Sequence, residues 1–249
     1  MPTRTLSSKG KMRTKSQDNT NEKIHIKPIR FIFICNINSR SEVNTFMAAA
    51  STIKKDYEKF FPQHRTEVHL IDSAKSLNEK LSGQADEIVK SIDFVGHGGH
   101  EMIGIMDEDN NRTSLMMDDV YFFFQFWFSD RLEVSDLDFH SLMKNVKIEI
   151  HGCKTSDKKF LEKNIAKNIS QKLYNDGKIL SYVIGHGNQA NPGSDPKRQD
   201  YRHDARFIYH NGNIVTYKPK KGALYTIEKG HLSEMGIENA IRAQFYDNK

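Results

Sequence analysis

An α/β fold with a mainly parallel central sheet sandwiched between helices is predicted for this chain by three observations. Residues 29–37, IRFIFICNI, form an almost continuous apolar and β-branched run, the mark of a strand buried on both faces. Strand-like runs then alternate with segments of helical period through residue 98, a β-α-β-α-β order that calls for right-handed crossovers and parallel pairing. Two of the apolar runs, residues 92–98 and 146–152, end in His-Gly, so short polar turns leave what would be a single edge of the sheet.

Taken in order, the first strand is followed by residues 41–61, where Val43, Phe46, Met47, Ala50, Ile53 and Tyr57 make a helical stripe and Ser41 is placed to cap it. Residues 67–72, EVHLID, read as the second strand, and residues 74–91 as a second helix weakened by Gly83. The third strand is IDFVGHG, residues 92–98. A β-hairpin around an Asp-Asn-Asn turn is expected over residues 102–117, inserted at the rim of the sheet. Residues 120–134, VYFFFQFWFSDRLEV, are too aromatic to lie exposed in an isolated chain; they pack under the insertion or form a partner surface. Residues 138–146 read as a short helix, 146–152 as the fourth strand, 158–177 as an amphipathic helix closed by Gly177, and 178–187 as the fifth strand. A loop rich in Pro, Gly and charge covers 188–204, a hairpin with Asn211-Gly212 at its tip covers 205–219, and residues 232–249 are helical in pattern.

With 249 residues and 37% hydrophobic content the chain can bury a sizeable core, and we expect a single domain over 26–249 preceded by a polar, disordered arm over 1–25. The arm has no apolar core of a secretory signal, and no apolar run has the length of a membrane span. Net charge is +5, but 32 acidic residues are interspersed with 37 basic ones, which favours an anionic partner only weakly. Two cysteines, Cys35 and Cys153, are too few for a disulfide framework, so a reducing, cytoplasmic setting is expected, or export as an effector without a signal peptide.

The chemistry concentrates at the two His-Gly strand ends. In an open parallel sheet, sites form where loops converge at the carboxyl ends of strands. His97 closes the third strand and Cys153 follows the fourth, so on neighbouring strands, about 4.8 Å apart, thiol and imidazole would face one another. That pairing makes a nucleophile and its base. Gly98 lets the chain turn sharply there, and the amides of Gly98 and Cys153 are candidate oxyanion donors. Cys35, inside an apolar strand, reads as structural.

The segments Phe94-Val95-Gly96-His97-Gly98 and Ile148-Glu149-Ile150-His151-Gly152-Cys153, in that order, resemble the caspase-like cysteine peptidases (clan CD), the group that includes caspases, legumain, gingipains, separase and the self-processing domains of large bacterial toxins. The hairpin after the first motif and the Thr-Ser and helix after the second are most similar to bacterial toxin-type and CHAT-like members, and the resemblance covers residues 29–187. It implies a caspase-like three-layer sandwich and an endopeptidase acting on protein or peptide substrates without a cofactor. His97 would be the proton shuttle, Cys153 the nucleophile and Gly98 an oxyanion donor. It also implies a specificity pocket near the fifth strand and the loop after it, where Asp195, Asp200, Lys197, Arg198 and Arg202 lie; Asp195 and Arg198 are the substrate-binding candidates, and charge preference stays open. Analogy with toxin-type relatives adds an anionic activator, such as an inositol phosphate, held by Lys218, Lys220 and Lys221. The departure from the family pattern is His151, which either tunes the thiol or points to the other face of its strand.

Other readings use the same residues. His186, in a third His-Gly at the fifth strand's end, rivals His97 as base, and His100 with Glu101 either orients His97 or lines the rim. His97, His100, His151 and Cys153 form an admissible tetrahedral zinc set. A non-enzymatic caspase-like scaffold would use the aromatic run and the basic loop to hold a protein partner. Nucleic-acid binding is disfavoured, since no recognised module surrounds the lysine cluster.

Overall fold

The computed structural model describes residues 26–35, 40–106, 112–118, 130–160, 162–190, 201–202, 205–217 and 232–247. The arm over 1–25, residues 120–129 of the aromatic run, the loop 191–200 with Asp195 and Arg198, and Lys218, Lys220 and Lys221 lie outside these residues.

A seven-stranded sheet organises the chain. Its strands are β1 (Ile29–Cys35), β2 (Arg65–Ile71), β3 (Val89–Val95), β7 (Leu142–His151), β8 (Tyr182–His186), β9 (Arg206–His210) and β10 (Asn213–Ile214), in the order β10-β9-β8-β7-β3-β1-β2. Pairing from β2 across to β8 is parallel, and β9 pairs antiparallel with both β8 and β10. A second sheet, β4 (Met102–Met106), β5 (Arg112–Met116) and β6 (Asp130–Glu133), starts with the expected antiparallel hairpin and adds β6 in parallel. The helices are α1 (Arg40–Phe60), α2 (Ala74–Ser82), α3 (Ile165–Asn175) and α4 (Glu234–Phe245). Among the described residues no helix is long and apolar enough to cross a membrane.

Local chemistry accounts for most element ends. Ser73 and Ser76 form a capping box on α2. Asn211 and Gly212 both take positive φ, 46° and 70°, as a two-residue hairpin turn requires. Three expectations need correction. The second helix stops at Ser82 and β3 begins at Val89, because the Ile29 N–H bonds to the Ile88 carbonyl (2.9 Å) and draws 88–91 into the sheet. Residues 142–146 are not helical; they open the ten-residue β7, with the Ser141 carbonyl accepting from Ile88 and Val89. The helix expected from 158 starts only at Ile165, where the Asn164 side chain accepts from the Lys167 amide. In the first two, long-range pairing overrides a helical pattern.

One face of the large sheet is apolar from β1 across to β8, with Glu67 and His69 of β2 at its edge. Phe31, Phe33, Phe94, Ile148, Ile150 and Val183 pack under α2 (Leu77, Leu81), α3 (Ile169, Leu173) and the small sheet (Ile103, Leu115). The opposite face lies under α1 and α4, with Ile32, Ile34 and Val95 against Phe46, Ile53 and Tyr57 and with Tyr182, Ile184 and Ile208 against Ile237 and Ile241. Between those two apolar patches the second face carries buried charge. Arg30 binds Glu234 of α4 in a fork (2.7 and 3.0 Å) beneath the Phe61 ring. Asp93 accepts from His151 Nε2 (2.8 Å), from Lys147 Nζ (3.4 Å) and from the Tyr57 hydroxyl. Glu149 joins Lys147 (2.8 Å) to Arg206 (2.6 Å). Arg30, Asp93, Lys147, Glu149 and Arg206 are each no more than 2% exposed, so the polar alternation of β7 marks a second buried face and not a solvated one.

Burial alone would raise these carboxyls. Lys147 and His151 at Asp93, Lys147 and Arg206 at Glu149, and Arg30 at Glu234 outweigh it and hold all three below the usual carboxylate range. Depressed acids stabilise the fold above their ordinary values near 4 and release that stability as pH falls through the folded values. Urea midpoints should therefore be flat near neutrality and fall steeply below about pH 4; a midpoint that rises on acidification would contradict the layer. Glu234→Ala, which strands the Arg30 charge, should cost about 3–5 kcal/mol, whereas the paired Arg30→Met, Glu234→Leu exchange should cost far less. Chemical denaturation of the three proteins checks the difference.

Candidate active site

β3 and β7 are neighbours in the sheet, and Val95 stands opposite His151 in their parallel register. Each chain then runs two residues further, to His97 and to Cys153. Just beyond and between them, the backbones of Gly98 and Gly152 touch. A Cβ on Gly98 would lie 3.1 Å from the Gly152 Cα and 2.6 Å from Thr155 Cγ2, and one on Gly152 would lie 3.1 Å from the Gly98 Cα. Glycine at 98 thus serves close approach, not the sharp turn expected from the sequence: among the described glycines only Gly177 and Gly212 take positive φ. Gly98 also bridges to Ile103 of β4, through bonds of the flanking residues, Gly99 N–H to the Met102 carbonyl and Gly104 N–H to the His97 carbonyl. The Gly98 and Cys153 amides have no acceptor among the described residues.

After Cys153 the chain is held in an unusual shape. Lys154 takes φ 56°, a region costly for a residue with a Cβ, and its N–H binds the Asn188 carbonyl at 2.9 Å. The Thr155 hydroxyl bonds to the Gly152 carbonyl (3.2 Å) and accepts from the His186 amide (3.0 Å), tying the cysteine loop to β8. The Cys153 thiol is half-buried and contacts the Ala190 carbonyl at 3.5 Å.

Aromatic side chains join the two strand tips. The Phe46 ring meets the His97 ring edge-on (5.6 Å) and the Tyr201 ring at 6.1 Å, and Cys153 packs against the cluster that contains Phe46, Val95, Ala190 and Tyr201. Burial first, then the charges of Cys153 and Glu42, push the Tyr201 phenol upward. The His97 side chain itself is 56% exposed, with Nε2 3.4 Å from Glu42 Oε1. Cys35, in contrast, is fully buried, and burial pushes its thiol up to about 12.

The remaining candidates lie elsewhere. His151 is buried, bonded to Asp93 through Nε2 on the charged face of the sheet, so it points away from the rim. His186, also fully buried, has its ring 6.0 Å from that of His151 and so does not stand at the rim as a rival base. His100 stacks on Phe160 at 4.0 Å and pairs with Glu101 at 3.5 Å. His97, His100, His151 and Cys153 therefore do not converge as a zinc set. Among the described residues the only trio of His, Cys, Asp or Glu ligand atoms within 4.8 Å is Asp93, Glu149 and His151. Lys147 already places its ammonium on Asp93 and Glu149, the charge a metal would supply. Arg202, considered for a specificity pocket, is buried and bonded to Asp56 of α1 at 2.8 Å.

Sequence reasoning passed over Glu42, Phe46 and Tyr201 as site residues. For Glu42 the signal was there: the first turn of a helix that follows β1 overhangs the tip of β3, the strand beside β1. Tyr201 sits beyond a long loop, with nothing in the sequence to bring it back. No protein-family model, curated protein or solved structure matches this chain.

Gly98→Ala should force the tips apart, because rotating Thr155 away would break its bonds to Gly152 and His186. We expect a cost of about 1–3 kcal/mol, a drop in melting temperature of roughly 3–10 °C, and slower alkylation of Cys153 by iodoacetamide. An unchanged melting temperature would mean that the glycines do not touch.

Proposed function

We propose that this protein is a cysteine endopeptidase of the caspase-like type, with Cys153 as nucleophile and His97 as proton shuttle. The reading is carried by one observation: the two residues leave adjoining parallel strands in matched register, two positions beyond the Val95 and His151 pair. The arrangement of parallel strands with an antiparallel β9, helices on both faces and a hairpin after the His-Gly motif supports assigning it to that fold.

The chemistry follows from the placement. Cys153 Sγ attacks the scissile carbonyl carbon as its proton passes to the His97 ring, and the carbonyl oxygen takes the negative charge. The Gly98 and Cys153 amides receive that oxygen. Collapse of the tetrahedral adduct breaks the C–N bond, and the imidazolium returns its proton to the leaving amine. Water, deprotonated by the same ring, then releases the acid and the free thiol. Substrate approaches along the rim, where His97 and the half-buried Cys153 are accessible, while the Cys35 thiol is sealed in the core.

The deciding experiment incubates the purified protein and its Cys153→Ala variant with a whole proteome, with and without an inositol phosphate, and sequences the new N-termini. Wild type should generate a set sharing one residue preference before the cut, absent from Cys153→Ala and reduced about 10²–10⁴-fold in rate by His97→Ala. Identical N-termini from wild type and Cys153→Ala would end the peptidase reading.

A further inference from the structure

β2 closes one edge of the large sheet, and its outer side has no strand or backbone partner among the described residues. Strand alternation decides which groups face outward. The Arg65 N–H binds the Pro28 carbonyl at 2.9 Å, so Arg65, Glu67, His69 and Ile71 direct their backbone bonds at β1. Thr66, Val68 and Leu70 therefore aim both N–H and C=O away from the sheet. Edges of this kind are ordinarily blunted by shortness, proline, a bulge or a cover. β10, at the opposite edge, is two residues long. β2 instead runs for seven residues in unbroken register with β1, contains no proline, and carries Leu70, 55% exposed, beside Ile34. The alternate set bears charge: Glu67 lies between Arg65 Nε at 2.6 Å and His69 Nε2 at 2.9 Å, on the face shared with Phe31 and Phe33.

We propose that a second copy of this chain adds to β2 by antiparallel pairing about a two-fold axis at Val68, giving one sheet of fourteen strands, seven from each copy. Two constraints select that register. An axis on Val68 pairs all three outward residues within the strands, Val68 with itself and Thr66 with Leu70, whereas an axis on Glu67 or His69 sends one of them past a strand end. The same axis sets Glu67 opposite His69 of the second copy, twice, in the closer, non-hydrogen-bonded positions. An axis on Glu67 would set two carboxylates against each other, and one on His69 two imidazoles. Such pairing uses up both β2 edges, so the assembly closes at two copies. The carboxyl ends of the two half-sheets then point in opposite directions, which keeps the two Cys153 edges apart and open. The inference is independent of the peptidase reading.

Analytical ultracentrifugation and residue-resolved amide exchange by NMR test it on the full chain. An edge contact is small for a specific interface, so dimer should appear between about 10 µM and about 1 mM. Over the same range exchange should slow at the amides of Thr66, Val68 and Leu70 and stay constant at Glu67 and His69, which are already bonded to β1. Glu67→Lys, which sets lysine opposite histidine, should weaken the dimer about tenfold, and adding His69→Glu should restore it. Val68→Pro removes the central outward N–H and none of those bonded to β1, so it should melt near wild type and stay monomeric. A wild type that is monomeric to about 1 mM, or a dimer indifferent to both Glu67→Lys and Val68→Pro, would overturn the proposal. Dimerisation that leaves exchange at Thr66, Val68 and Leu70 unchanged would place the second copy on another face and overturn it too. A dimer weakened by Glu67→Lys but not restored by His69→Glu would overturn the axis at Val68.

Discussion

Opposition of Val95 and His151 across two parallel strands is the constraint on which the rest depends. Parallel pairing fixes both chains in direction, so whatever follows those two residues must emerge side by side on one edge. Contact between Gly98 and Gly152 then tightens the gap to backbone distance, which no residue with a side chain would permit. Slipping either strand by one residue would turn His97 or Cys153 toward the other face. The strained Lys154 and the tethered Thr155 reinforce the same placement from the far side of the cysteine.

Beneath that edge lies the buried ionic layer of Arg30, Asp93, Lys147, Glu149, Arg206 and Glu234. Such a layer adds little net stability, since desolvation offsets attraction, but its members tolerate few alternative arrangements. It joins β1, β3, β7 and β9 to α4, and His151, two residues before Cys153, is one of its members. The charge on this face therefore serves register, while the apolar face supplies the bulk of the hydrophobic burial.

The sheet was legible in the sequence because its central strands are short apolar runs with glycine-marked ends; the apolar parts of β1, β3, β7 and β8 lie in the expected segments, while the starts of β3, β7 and β8 do not. The adjacency of the His97 and Cys153 tips was legible for the same reason. What stayed hidden depends on distant partners. Val89 and Leu142 carry no local sign that they belong to strands, because it is their pairing with β1 and with each other that makes them so. The burial of Lys147 and Glu149 had no local sign either, because only the fold supplies Asp93 and Arg206 to bury them against. The zinc set failed for a related reason: spacing along the chain puts His97, His100, His151 and Cys153 near one another, but strand alternation sends the His151 ring into the sheet's interior layer.

Proton sharing between Cys153 and His97 is tested most directly by the rate at which iodoacetamide alkylates Cys153, followed by mass spectrometry of its peptide, in the wild-type protein and in His97→Ala. Cys35, sealed in the core with its thiol pushed up to about 12 by burial, does not interfere. If the strand tips hold sulfur and imidazole together, the wild-type thiol should react at least about tenfold faster than that of His97→Ala. Equal rates in the two proteins would contradict the account.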